Sequence, residues 1–145
     1  MPNTTIPLTL INLNDDGFHL LVEIVVYGQK HFAVLDTGAS RSVFDAGFTA
    51  KYNSSPISEH EVPADETFAT TLFSTSNTAL ATFAQLKIGR MVLTDYTVVA
   101  LDLASVNEAY SLLGHPAVVG IIGGDILFSH QAKINYETFK MTLSY

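Results

Sequence analysis

The sequence has no cysteine, which rules out a disulfide framework and any thiolate-held metal. It is also poor in basic residues: 7 Lys and Arg stand against 14 Asp and Glu, for a formal net charge of −7. Binding a phosphate backbone requires clustered cations, so no nucleic acid partner is expected. No apolar run comes near the ~20 residues that cross a bilayer as a helix, so no membrane partner is expected either. The opening residues Met1-Pro2-Asn3-Thr4-Thr5 carry neither a basic segment nor an apolar stretch, and the expected location is cytoplasmic. Gly and Pro, at 9 and 5 residues, are too few for a disordered or fibrous chain.

What is present is a chain of 145 residues, 48% of them hydrophobic, enough for a single domain over 1–145 with its own core. The apolar residues come in short segments split by turn formers, the pattern of a mostly-β protein. Strands are predicted at Thr5 to Leu13, Phe18 to Tyr27 and Lys30 to Leu35, with Asn14-Asp15-Asp16-Gly17 as a turn and Gly28-Gln29 as a type II′ link. More are predicted at Thr67 to Phe73, Thr78 to Ile88, Met91 to Leu101 and Ala117 to Ile122. A last hairpin joins Ala132 to Asn135 with Phe139 to Leu143. Asp45 is placed to cap a short helix through Lys51, and Asp125 another from Ile126 to about His130. Between them, Ser105 to Leu113 forms a helix that Gly114 ends, with Pro116 just beyond.

The informative stretch is Ala33-Val34-Leu35-Asp36-Thr37-Gly38-Ala39-Ser40. An apolar strand runs straight into a carboxylate, and small turn-forming residues follow. Gly38 allows a tight backbone and the close approach of another chain, and Thr37 supplies a hydroxyl for backbone groups. By itself, an Asp-Thr-Gly at a strand end is more often a turn than a site. Asp36 alone is also chemically incomplete, because hydrolysing a peptide with water takes both a base and an acid. Two carboxylates about 3 Å apart share one proton and fill both roles at one pH. The chain has a single Asp-Thr-Gly, so the second carboxylate has to come from a symmetric copy, which makes the chain its own expected partner.

A second motif is Val118-Val119-Gly120-Ile121-Ile122-Gly123-Gly124-Asp125-Ile126-Leu127. Together the two motifs resemble the retropepsin-like clan of aspartic proteases, in which two apolar residues and a Gly lead into a short helix. Ile121-Ile122-Gly123 matches the first part, and Asp125-Ile126-Leu127 the helix start. Gly123 to Leu127 and Lys133-Ile134-Asn135-Tyr136 are most similar to the bacterial branch and to the protease domain of ubiquitin-shuttle proteins of the DNA-damage-inducible type. The resemblance spans about Phe18 to Leu143. It implies a mostly-β, retropepsin-like acid-protease fold: a closed, barrel-like half with one or two short helices. It implies a homodimeric aspartic endopeptidase that hydrolyses an extended peptide or protein through an Asp-activated water, with no metal and no cofactor. Asp36 becomes the catalytic carboxylate. Thr37 bonds across the dimer axis, and Gly38 offers its carbonyl to the substrate. Ala39 and Ser40 complete the loop, and Ile121-Ile122-Gly123 packs beside it.

The chain departs from the clan in three places. Ser40 stands where retroviral members carry Asp, and Gly124 where its Arg partner stands, so both charges are lost together and neither is left uncompensated. Arg41 with Asp125 is a candidate replacement pair. Ala39 takes the place of the Ser hydroxyl that pepsin-like enzymes aim at the catalytic carboxylate, which predicts an active pair less acid-shifted than pepsin's. The flap expected over the substrate falls in Phe68 to Phe83, with its tip at Phe73, Ser74, Thr75, Ser76 and Asn77, and contains no Gly. That unusual flap supports a rival function: a catalytically weak or inactive module of the same fold that binds peptide or dimerises. The segment Phe139 to Tyr145 is a candidate for knitting two subunits by itself.

Other features read as structure. His19, His31, His60, His115 and His130 show no metal-ligand spacing. Leu101-Asp102-Leu103-Ala104-Ser105 echoes the active loop without its Thr-Gly pair. Phe44, Phe48, Tyr52, Phe128 and Phe139 read as core or interface aromatics.

Overall fold

The computed structural model describes residues 2–51, 54–56 and 79–145. The strands are β1 (Asn3–Asn12), β2 (Phe18–Val26), β3 (Gln29–Leu35), β4 (Val43–Asp45), β5 (Ser54–Pro56), β6 (Ala79–Ile88), β7 (Met91–Leu101), β8 (Gly120–Ile122), β9 (Lys133–Asn135) and β10 (Lys140–Ser144). The helices are α1 (Ala46–Thr49), α2 (Ala104–Leu112) and α3 (Gly124–Ser129). The expected strand Thr67 to Phe73 and the flap tip Phe73 to Asn77 lie outside the described residues, as does Tyr52.

Following the pairings round from β2 gives β3, β8, β4, β7, β6 and then β2 again, so these six strands close into a barrel. The β3–β8 and β4–β7 pairs are parallel and the rest of the ring is antiparallel. Closure removes the free sheet edges that would otherwise invite pairing with other chains. β1 serves two partners: Asn3 to Pro7 pair with β10, and Leu8 to Asn12 pair with β2. β10 has β9 on its other side. β10 thus pairs with β1 along Lys140 to Ser144 and with β9 along Lys140 to Thr142.

The barrel strands β2, β4, β7 and β8 bury residues on both faces, and the period of 2 shows how. Val22, Ile24, Val26, Phe44, Val98 and Ile122 belong to one core cluster. Their immediate neighbours Leu21, Val43, Val99 and Ile121 belong to another, on the opposite face of the same strands. In the first cluster the rings of Phe44 and Phe83 meet edge to face, with centroids 4.9 Å apart. The second is covered by α2 through Tyr110 and Val106. α2 is clamped there by Asn107, whose amide donates to the Val118 carbonyl at 2.9 Å and whose oxygen accepts from the Val118 amide at 2.8 Å. The aromatic expectations divide accordingly: Phe44 and Phe48 are core, whereas Phe128 is 87% exposed on α3 and Phe139 is partly exposed.

Local chemistry explains most element ends and corrects two expectations. Asp45 caps α1, accepting from the Phe48 amide at 3.1 Å. Gly114, at φ +77°, ends the turn after α2. The β2–β3 link is one residue earlier than predicted. Val26 pairs with Gln29, and the two loop residues Tyr27 and Gly28 both have positive φ, at 50° and 79°. That is a type I′ turn, whose twist suits a tight hairpin, rather than type II′. Asp125 does not cap α3. Gly123 occupies the cap position with no side-chain bond, and Asp125 lies in the first turn with its carboxylate engaged elsewhere.

Candidate active site

Strand order creates the site. β8 lies between β3 and β4, so the segment that joins β3 to β4, residues 36–42, has to pass over the end of β8. Ladder bonding carries on one step beyond β3, and the Asp36 amide donates to the Ile122 carbonyl at 3.0 Å. The chain then turns, with the Ala39 amide donating to the Asp36 carbonyl at 3.2 Å. Within this turn the Gly38 amide donates to Asp36 Oδ1 at 2.9 Å. That bond is an Asx-type contact, which fixes the carboxylate rotamer and satisfies one oxygen. Asp36 Oδ2 makes no hydrogen bond among the described residues.

The two sequence motifs meet here. Asp36 to Ser40 form the loop, and Ile121, Ile122 and Gly123 run beside it, the isoleucines buried. The Gly124 amide donates to the Ala39 carbonyl at 2.7 Å. Gly123 is required by space: a Cβ there would stand 2.8 Å from the Ala39 carbonyl oxygen and 2.9 Å from that of Arg41. Both atoms are backbone of the active loop and cannot swing aside. Thr37, Gly38 and Ser40 are exposed, and Ala39 is buried.

The loop's far end is held by a network that sequence reasoning missed. Ser42, fully buried, donates to Asp125 Oδ1 at 2.7 Å and accepts from the Gly123 amide at 3.0 Å. The other oxygen, Oδ2, accepts from the Tyr96 hydroxyl at 2.8 Å. Asp125 is thus gripped by two hydroxyls. Burial, and then the Asp125 carboxylate beside it, push the Tyr96 phenol well above the ordinary tyrosine range, and the nearby charge of Arg41 opposes this. Tyr96 is therefore a committed donor. Nothing local marks Ser42 or Tyr96, which are 54 positions apart and meet only through tertiary packing.

A further pair was also missed. The Tyr110 hydroxyl lies 2.6 Å from His19 Nδ1. Tyr110 is buried in the second core cluster beside Val34, Ala39 and Ile121. Burial, and then the negative charge of Asp36, raise its phenol above the ordinary tyrosine range. Its hydroxyl thus keeps its proton. Elsewhere, among the described residues, no three His, Asp or Glu side chains come together as metal ligands. No helix among them is long and apolar enough to cross a membrane.

Residues 22–126 match the family model described as aspartyl protease. No curated protein sequence is significantly similar to the chain. Among solved structures it is similar to a retropepsin-like aspartic protease from Rickettsia conorii, at 14% identity and a TM-score of 0.54, over 99% of this chain and 90% of that one. It is also similar to the retroviral protease-like domain of Ddi1 from Leishmania major, at 14% identity and a TM-score of 0.50, over 86% of this chain and 87% of that one. The mostly-β closed barrel is thus of the retropepsin-like type.

Proposed function

The chain belongs to the aspartyl protease family, and we propose that it is a homodimeric aspartic endopeptidase in which Asp36 of each subunit forms half of the catalytic pair. The observation that carries this reading is the state of the Asp36 carboxylate. It stands at the end of a buried strand, with Oδ1 held by the Gly38 amide and Oδ2 left open to a second group. A group held this way meets the geometric demand of catalysis before any substrate arrives.

In the dimer, the pair of Asp36 side chains holds one proton between them, because two carboxylates at about 3 Å do not both ionise. The ionised member takes a proton from a bound water as its oxygen attacks the scissile carbonyl carbon. The protonated member gives its proton to the carbonyl oxygen. As the tetrahedral carbon collapses, the C–N bond breaks, the nitrogen leaves with the proton held by the pair, and a hydroxyl of the tetrahedral carbon returns its proton to the carboxylates, which again share one. The substrate lies extended, its backbone hydrogen-bonding to the loops as an added strand does. Gly38 offers its carbonyl to that strand, and Thr37, exposed beside Asp36, bonds its counterpart across the axis.

The test combines solution mass with peptide-library cleavage across pH 3–8. A dimer that cleaves, and whose Asp36→Asn variant keeps fold and mass while losing about 10²–10⁴-fold in kcat/KM, is the expected result. Cleavage by Asp36→Asn at the wild-type rate refutes the assignment.

A further inference from the structure

We propose that His19, anchored by Tyr110, is a specificity-determining residue of the Asp36 site, favouring substrates with a carboxylate side chain close to the scissile bond. This rests on the endopeptidase reading above and adds a substrate class to it. The register comes first. β2 and β3 pair Leu20 with Leu35 and Leu21 with Val34, so the next step of the ladder sets His19 opposite Asp36. Residues opposite one another in an antiparallel pair project to the same face, their Cβ atoms about 5 Å apart. The packing agrees: Leu21 and Val34 share the second core cluster, and the ring bonded to His19, that of Tyr110, lies in that same cluster.

Anchoring comes second. His19 is exposed, yet its Nδ1 is held at 2.6 Å by a buried hydroxyl, so the ring is oriented while Nε2 remains available. With the Tyr110 hydroxyl donating to Nδ1, the neutral ring carries its hydrogen on Nε2, and this is the tautomer the proposal takes. When the ring gains a second proton, the hydroxyl turns to accept, and the anchor survives. The imidazole therefore presents an N–H in either state and a positive charge in one.

Charge comes third. Neither residues 1–29 nor residues 91–132 contain any Lys or Arg. These spans supply β1, β2, α2 and β8, the elements around this face. Among the described residues, the ionisable groups placed around His19 include Tyr110 on α2, His115 after it, Asp36 at the end of β3, and Asp15 and Asp16 in the β1–β2 turn. His115 spends Nε2 on the Asn12 carbonyl at 2.7 Å. A substrate carboxylate brought to this wall thus meets no Lys or Arg on β1, β2, α2 or β8, and His19 is the nitrogen-bearing side chain of β2 set opposite Asp36. In a two-fold dimer the two His19 rings flank the scissile bond from both sides, so the preference appears at two symmetric substrate positions.

The test uses peptides with a reduced, uncleavable bond at the scissile position. Glu or Gln is placed singly at each of the four residues on either side, and binding to the full chain is measured by calorimetry at pH 5 and pH 8. At pH 5, Glu is expected to bind about fivefold tighter than Gln at one symmetric pair of positions. In His19→Gln the ratio is expected to fall to about one at either pH. His19→Lys, which keeps a charge, is expected to retain the preference at both. Equal binding of Glu and Gln peptides by wild type at pH 5, or an unchanged ratio in His19→Gln, overturns the role of His19 and leaves the endopeptidase reading standing. A chain that binds none of the peptides and cleaves nothing overturns both.

Discussion

Replacing Ser42 by Ala is expected to unseat the active loop from behind. The hydroxyl is fully buried and makes two bonds, giving its proton to Asp125 Oδ1 at 2.7 Å and accepting the Gly123 amide at 3.0 Å. Losing a hydrogen bond to a charged group costs about 1.5–3 kcal/mol, and a buried amide left unpaired costs about 1–3 kcal/mol. Asp125 is only partly buried, so water recovers some of the first loss. The sum then lies near 3 kcal/mol, a large share of the roughly 5–15 kcal/mol that holds a domain together. In urea, with a slope of about 2 kcal/mol/M, the midpoint should fall by about 1.5 M. The measurement is made at one fixed protein concentration, because self-association adds to apparent stability. Pairing Ser42→Ala with Asp125→Asn in a double-mutant cycle should give a coupling of about 1 kcal/mol or more, since the residues touch. A Ser42→Ala cost below about 1 kcal/mol, with no coupling to Asp125, refutes the network as the loop's support.

Gly123→Ala should be costlier to activity than to secondary structure, because its Cβ can be accommodated only by moving the Ala39 and Arg41 carbonyls. Overpacking of this kind costs about 1–3 kcal/mol, read by urea unfolding, and the displaced loop should lower kcat more than it raises KM. Phe83→Ala should cost about 3–5 kcal/mol in the same unfolding assay, for Phe83 is fully buried and meets Phe44 edge to face. Burial, and then the charge of Lys51, hold His31 below the usual imidazole range, so between the folded and unfolded values the unfolded chain binds more protons. The stability this contributes is therefore full above about pH 6.5 and is lost as pH falls from there through the lower folded value. His31→Gln should flatten the fall in thermal midpoint between pH 7 and pH 5, and an equally steep fall in the variant removes His31 as its cause.

Much of the fold and part of the site were legible in the chain itself, because they depend on neighbours in sequence. Alternating apolar residues placed β2, β3, β6, β7 and β10 to within a residue or two, since a half-buried strand imposes a period of 2 whatever it packs against. Asp45 as a helix cap and Gly114 as a helix end are one-turn effects. Asp36 stood out because a carboxylate between an apolar strand and Thr37-Gly38 is a local pattern. The β2–β3 turn was misplaced by one residue because Tyr27, an unusual residue at positive φ, takes a loop position that Gly normally fills.

Tertiary structure alone decided the rest. No local rule inserts β8 between β3 and β4, yet that insertion brings Gly123 under Ala39 and fixes Asp36 to Ile122. No local rule gives Asp125 to Ser42 and Tyr96, or sets Tyr110 on His19 across 91 positions. A sequence records which groups are able to pair, whereas the choice among distant partners is made by the packed core, where a buried polar group has to find whichever mate lies within about 3 Å.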